Sequence, residues 1–199
     1  MKHIFIQGEK SQPVFVLLHG TGGSEESLID VGNKLNSKAS LLGIKGEVNE
    51  QGMARYFRRL REGVYDEVDL YEKGMLLNQF IKQASSEYHF SLNEVVLVGY
   101  SNGANIGLHL LLNEASVYRQ AILFHPMYPL SQIKEVTLSK TKAFISFGIN
   151  DPIVPLEESQ HVIDILRNRQ ASVEIFETIG HNLSLEEVEA TKNWLQKEV

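Results

Sequence analysis

Val95-Val96-Leu97-Val98-Gly99-Tyr100-Ser101-Asn102-Gly103 is the stretch whose reading decides the fold. The run 95–98 is short, wholly apolar and rich in β-branched side chains, which reads as a strand covered on both faces, as in a parallel sheet. Residues 102–113 read as a helix. Between them stands Gly-Tyr-Ser-Asn-Gly. A tight strand-to-helix turn at that place strains Ser101 and exposes its hydroxyl, and Gly99 and Gly103, without a Cβ, let strand and helix approach closely. The helix start aims backbone N–H groups at developing negative charge. The plainer alternative is an ordinary strand–helix turn that happens to contain a serine.

Working outward, short β-rich runs alternate with amphipathic segments. Strands are predicted at residues 3–6, 14–18, 39–44, 95–98, 121–124, 143–147 and 173–176. Helices are predicted at residues 73–89, 156–170 and 185–198. The first carries Leu76, Phe80, Ala84 and Tyr88 at spacing four. The second follows Pro155 and places Val162, Ile163 and Leu166 on one side. Ser184 and Glu187 form a capping box before the third. Strand–helix alternation of this kind predicts a three-layer α/β/α sandwich with a mostly parallel sheet. The 199 residues fit one domain, 1–199.

A serine hydroxyl attacks well only when a base takes its proton. Asp151, in Gly-Ile-Asn-Asp-Pro, follows the strand at 143–147. His181, in Gly-His-Asn, follows the strand at 173–176. Both stand on the sheet edge that carries Ser101, where open α/β sheets place their sites, and in the order nucleophile, acid, base. Taken singly, Asp151 also reads as a turn residue before Pro152 and His181 as a helix-entry residue. Of the other six histidines, His125 is the rival base because it follows a strand. It precedes Asp151, which breaks that order and suits a pocket wall better.

Acyl transfer also needs fixed N–H donors for the carbonyl oxygen. The run Leu18-His19-Gly20-Thr21-Gly22-Gly23 follows the strand at 14–18. Its Thr21 N–H and the Asn102 N–H are the expected oxyanion donors, with His19 bracing the loop. A phosphate loop is disfavoured, since no Gly-Lys-Ser/Thr follows and the Gly-x-Gly-x-x-Gly spacing fails at Glu25. No His-Glu-x-x-His occurs, and the pair His161 and Asp164 lacks a third ligand nearby, so no metal is expected.

Composition narrows the class. The absence of cysteine excludes disulfides, a thiolate nucleophile and Cys-ligated zinc. A net charge of −6 argues against non-specific nucleic-acid binding. No run reaches the roughly 20 apolar residues of a membrane span, and the N-terminal apolar burst stops at Gln7-Gly8, short of a signal peptide. The expectation is a cytoplasmic protein that binds neither nucleic acid nor membrane.

Residues 46–70 break the rhythm: charged, dotted with aromatics and without a clean period. They are the candidate roof of the pocket, since no large cap domain fits between Ser101 and Asp151. Met53, Tyr56, Phe57, Tyr65, Met127 and Tyr128 are candidate walls, or else aromatics that only anchor a loop. Arg58 and Arg59 read either as contacts for a substrate carboxylate or as a solvated basic face.

These motifs, with Leu-Leu-His-Gly-Thr-Gly-Gly at 17–23, Gly-Tyr-Ser-Asn-Gly-Ala-Asn-Ile-Gly at 99–107 and Gly-Ile-Asn-Asp-Pro-Ile-Val-Pro at 148–155, resemble the phospholipase/carboxylesterase family of α/β-hydrolases, relatives of the acyl-protein thioesterases. The segment 46–70 is similar to that of a bacterial subgroup of carboxylesterases and hydroquinone-stress hydrolases. The resemblance implies a small, lidless serine esterase that cleaves short-chain esters or thioesters without a cofactor. It implies Ser101, Asp151 and His181 as the triad and Thr21 and Asn102 as the oxyanion hole, and carries homodimer formation as an expectation. The competing reading from another class is a catalytically silent α/β-hydrolase fold that binds a small molecule.

Overall fold

The computed structural model describes residues 1–130 and 132–197. Along the chain run β1 (His3–Ile6), β2 (Val14–Leu18), α1 (Ile29–Leu35) and β3 (Ser40–Ile44). Four short strands follow: β4 (Val48–Glu50), β5 (Met53–Arg55), β6 (Arg59–Arg61) and β7 (Val64–Tyr65). Then come α2 (Glu67–Tyr88), β8 (Val95–Tyr100), α3 (Asn102–Asn113), β9 (Gln120–Phe124), β10 (Lys142–Gly148), α4 (Leu156–Asn168), β11 (Ser172–Thr178) and α5 (Leu185–Lys197).

The main sheet has seven strands in the order β1-β3-β2-β8-β9-β10-β11. Only β1 is antiparallel to its neighbour; the other pairings are parallel. The unbroken apolar runs have a simple cause. Successive side chains point to opposite faces, and both faces are covered. Val14, Val16 and Leu18 join the core under α2, α3 and α4, whereas Phe15 and Leu17 join the core under α1 and α5. Leu97 and Val98 divide the same way. Chain order reverses direction across the sheet between β2 and β8, and the carboxyl ends of these two strands open the crevice in which such folds place their sites.

The predicted strands occur within two residues of their expected ends, and the three-layer sandwich is the one expected. β11 is an edge strand, so Glu174 and Glu177 stand exposed along it. The helices expected to end at 170 and 198 end at Asn168 and Lys197, and residue 198 lies outside the described residues.

Two expectations need correction. The segment 46–70 is not a structureless loop. It folds into two antiparallel hairpins, β4–β5 and β6–β7, and its last residues already belong to α2. The helix expected from 73 begins at Glu67 because Asp66 caps it, its side chain accepting from the Asp69 N–H. The buried face also differs from the stripe expected at spacing four. The buried face is Leu70, Gly74, Leu77, Ile81 and Ala84, while Leu76 is exposed.

α2 packs on α3 through a buried histidine. A Cβ on Gly74 would collide with the His109 ring, so glycine is what lets the two helices meet. His109 Nδ1 lies 2.8 Å from the Tyr128 hydroxyl, and the Tyr71 ring meets it edge-on at 4.7 Å. Burial disfavours the imidazolium and pulls His109 from 6.5 down to about 4. Between those values the unfolded chain holds the proton and the folded one does not, so stability rises with pH across that window. Stability is therefore expected to fall by up to about 3 kcal/mol as pH drops from 6.5 towards 4. Denaturant unfolding of wild type and His109→Gln over this range checks it: the variant loses most of that slope.

Candidate active site

The site sits at the carboxyl edge of the sheet. β8 ends at Tyr100 and α3 starts at Asn102, which leaves Ser101 alone to turn the chain, at φ 52° and ψ −115°. A non-glycine residue there costs about 1–3 kcal/mol. The conformation is held by the Ser101 N–H donating to the Phe124 carbonyl at 2.9 Å. The flanking glycines leave no space for a larger residue. A Cβ on Gly99 would stand 2.5 Å from the Gly103 carbonyl oxygen, and one on Gly103 would run into the Leu18 carbonyl. This close approach sets the loop after β2 beside the start of α3.

β8, β10 and β11 bring three side chains together. Ser101 Oγ lies 2.9 Å from His181 Nε2. His181 Nδ1 lies 2.6 Å from Asp151 Oδ2. A carboxylate only accepts, so Nδ1 carries the proton and Nε2 is free to accept from the serine hydroxyl. The Asp151 side chain is 1% exposed. Burial by itself would raise its carboxyl; the N–H groups of Val154 and Ile153 and the His181 ring outweigh it and hold the group below the usual carboxylate range. The two N–H groups donate to Oδ1 at 3.0 and 2.8 Å. The Tyr100 hydroxyl donates to the His181 carbonyl at 2.9 Å and holds that loop.

The loop after β2 is braced from several sides. The His19 ring donates from Nδ1 to the Gly20 carbonyl at 2.6 Å and accepts from the Gly46 N–H at Nε2, 3.0 Å. Burial keeps it neutral by lowering its pKa. This is the bracing role expected of His19. The Gly22 N–H donates to the Ala54 carbonyl at 2.9 Å. Arg55 Nη1 donates to Thr21 Oγ1 at 2.8 Å. Neither the Thr21 nor the Asn102 N–H has an acceptor among the described residues, and Asn102 is the first residue of its helix, where no intrahelical acceptor exists. The Asn102 side chain accepts from the Tyr56 N–H at 2.8 Å, tying β5 and its following residues to the start of α3.

Ser101, Thr21, Asn102 and His181 line one cleft of about 670 Å³, together with Arg55, Arg59, Tyr65, Asn105, Met127 and Val154. A larger groove of about 1110 Å³ lies between α1 and α5 at the opposite end of the strands, away from this cluster.

Of the expected pocket residues, Arg59, Met127 and Tyr65 line the cleft. Met53, Phe57 and Arg58 do not. Met53 sits on the β4–β5 hairpin, 40% exposed, within contact distance of the Gly22 position. Phe57 is fully buried and packs edge-on against Tyr65, their centroids 4.8 Å apart, so it anchors the segment. Arg58 points to the other side, where Asp66 holds it at 3.0 Å and Asp69 at 3.5 Å. Tyr56 and Tyr128 are buried as well. Tyr56 donates to the Ile44 carbonyl at 2.6 Å, and Tyr128 meets His109 in the core.

Sequence reasoning missed Arg55. Its side chain is 6% exposed and lies 3.3 Å from Glu50 Oε2, while Arg59 donates to Glu50 Oε1 at 2.8 Å. One carboxylate thus serves two guanidinium groups on the cleft wall. The alternation Glu50…Arg55…Arg59 across two hairpins carries no local signal, because the pairing exists only once the hairpins fold together.

His125 is fully buried behind the cleft. With Asp151 and His181 it offers ligand atoms within 4.8 Å of one another. Those atoms already meet each other: Asp151 Oδ2 faces His181 at 2.6 Å and His125 at 3.3 Å.

The profile of the phospholipase/carboxylesterase family matches residues 1–199. The chain is 40% identical to the protein MhqD of Bacillus subtilis (strain 168), which carries the name of a hydrolase, over the full length of both. Its backbone superposes on the crystal structure of the Bacillus cereus carboxylesterase with a TM-score of 0.97 and 42% identity, covering 100% of this chain and 95% of that one. It also superposes on YahD, solved with malic acid, at a TM-score of 0.94 and 30% identity, covering 98% of each chain. With its mostly parallel sheet and serine-bearing turn, this chain belongs to the phospholipase/carboxylesterase family of α/β-hydrolases.

Proposed function

We propose that the protein is a serine carboxylesterase that cleaves short-chain esters or thioesters through an acyl-enzyme. The observation that carries the reading is the continuous path from Ser101 Oγ to His181 Nε2 at 2.9 Å and from His181 Nδ1 to Asp151 Oδ2 at 2.6 Å. His181 takes the Ser101 proton as the oxygen attacks the acyl carbonyl, and Asp151 orients the ring and stabilises the imidazolium. The Thr21 and Asn102 N–H groups receive the developing oxyanion, a contribution of a few kcal/mol per donor in such sites. His181 then protonates the leaving alcohol or thiol. Water, activated by the same histidine, releases the acid. A cleft of about 670 Å³ suits a small acyl group. The silent binding fold would have no use for a base, an acid and two free donors around one strained serine.

Intact-mass analysis after treatment with a fluorophosphonate is expected to find one adduct on wild type and none on Ser101→Ala. Turnover of p-nitrophenyl acetate and butyrate should fall at least about a thousandfold in Ser101→Ala. A folded wild type that takes no adduct returns the protein to the binding class.

A finer reading concerns the substrate. Arg59 lines the cleft beside Arg55, and both share Glu50. Arg55 and Arg59 present two planar guanidinium groups to a cleft whose lining also holds Glu62, and Arg59 is the contact for a substrate that carries its own carboxylate. A similar protein solved with malic acid fits that chemistry. Arg59→Ala is expected to lower kcat/KM about tenfold on half-esters of dicarboxylic acids and to leave neutral esters within about twofold. Equal effects on both ester classes would refute it.

A further inference from the structure

Behind Asp151 lies a buried histidine, set between two carboxylates, that the reaction scheme above does not use. His125 stands at the end of β9 at φ 53°, a conformation few non-glycine residues adopt. Its Nδ1 is 3.3 Å from Asp151 Oδ2, and its Nε2 is 2.9 Å from Glu187 Oε1. The His125 and Glu187 side chains are 0% exposed and that of Asp151 1%. The other oxygen of Glu187 accepts from the Ser184 N–H at 2.7 Å, closing the capping box of α5. Helix capping alone needs only that oxygen, and it does not require the second to be buried against a histidine.

The two carboxylates are held in their charged form by their surroundings. Burial would raise the Glu187 carboxyl, but His125, Ser146 and the Ser184 N–H together hold it below the usual range. Asp151 is held low as well. Both are therefore anions, and each faces one nitrogen of the same ring. The fully buried ring is held between these two carboxylates, one of which belongs to the proposed triad. The titratable groups around it are Asp151, Glu187, His181 at a centroid distance of 5.1 Å and Tyr100 at 6.0 Å.

We propose that His125 and Glu187 are positioning residues for the Ser101–His181–Asp151 reaction, the His125 ring fixing Asp151 Oδ2 from behind. The inference rests on the esterase reading of that triad. Asp151 Oδ2 meets two rings, so the position of His125 bears on how Asp151 holds His181, and Glu187, on the far side of His125, fixes that ring in place.

Glu187→Gln is the decisive variant, because glutamine keeps an oxygen for the Ser184 N–H and so keeps the helix cap. Its rate of fluorophosphonate labelling and its kcat/KM on p-nitrophenyl acetate are measured from pH 5 to 9 beside wild type. Both rates are expected to fall about tenfold on the plateau, and the acid limb of both profiles to be displaced from that of wild type. His125→Asn, chosen because asparagine tolerates positive φ, is expected to lower kcat about tenfold with KM little changed. If it does not fold, the Glu187→Gln profile decides alone. A Glu187→Gln profile that coincides with a labelled wild type overturns the inference and reduces Glu187 to a helix cap. A wild type that does not label overturns the esterase reading and this inference with it.

Discussion

A buried carboxylate has to find donors, and the arrangement of this protein's site follows from how Asp151 finds them. Its Oδ1 accepts the N–H groups of Ile153 and Val154 within its own loop. Its Oδ2 meets His181 from the loop after β11 and His125 from the end of β9. One side chain thereby fastens the carboxyl ends of three strands. Leaving any of these contacts unmade would strand a charge in the interior, at a cost of several kcal/mol. The residues that hold Asp151 consequently hold His181 in register with Ser101.

The second support comes from the segment between β3 and α2. Its hairpins fold back over the loop after β2 rather than roofing a pocket with aromatics. Tyr56 is the fastening point: its hydroxyl donates to the Ile44 carbonyl and accepts the His19 N–H, and its own N–H donates to Asn102. Phe57 and Tyr65 bury their rings beneath. What the segment offers to the cleft is polar, namely Arg55 and Arg59 bridged by Glu50. Aromatic composition suggested walls, and packing used most of those rings as anchors. A large ring gains more from full burial than from lining an open cleft.

The proposed nucleophile and acid were legible because each follows a largely apolar strand, and the base because it follows the short β-rich run 173–176, although Glu174 interrupts it. Strand ends in a parallel sheet converge on one edge, so sequence position translated directly into spatial edge. The hairpins at 48–65 were not legible. Their strands are two or three residues long and mix charge with aromatics, so neither period dominates. The start of α2 was missed for a related reason: its cap, Asp66, lies in an acidic stretch, 66–69, where any of several residues could begin a helix. His125 was noticed as following a strand, yet its link to Glu187 joins residues from β9 and α5 that only folding makes neighbours.

By itself the sequence determined the layered α/β class, the turn at Ser101, and the chain order of serine, acid and histidine. These are local properties, written in runs of apolar side chains and in glycines that permit close approach. Tertiary structure alone decided which arginine faces the cleft, which aromatics anchor and which line, and that Glu187 caps α5 with one oxygen while meeting His125 with the other. The physical reason is that charge pairing and burial depend on distances across the fold. A carboxylate or guanidinium looks the same in sequence whether water or a buried partner satisfies it.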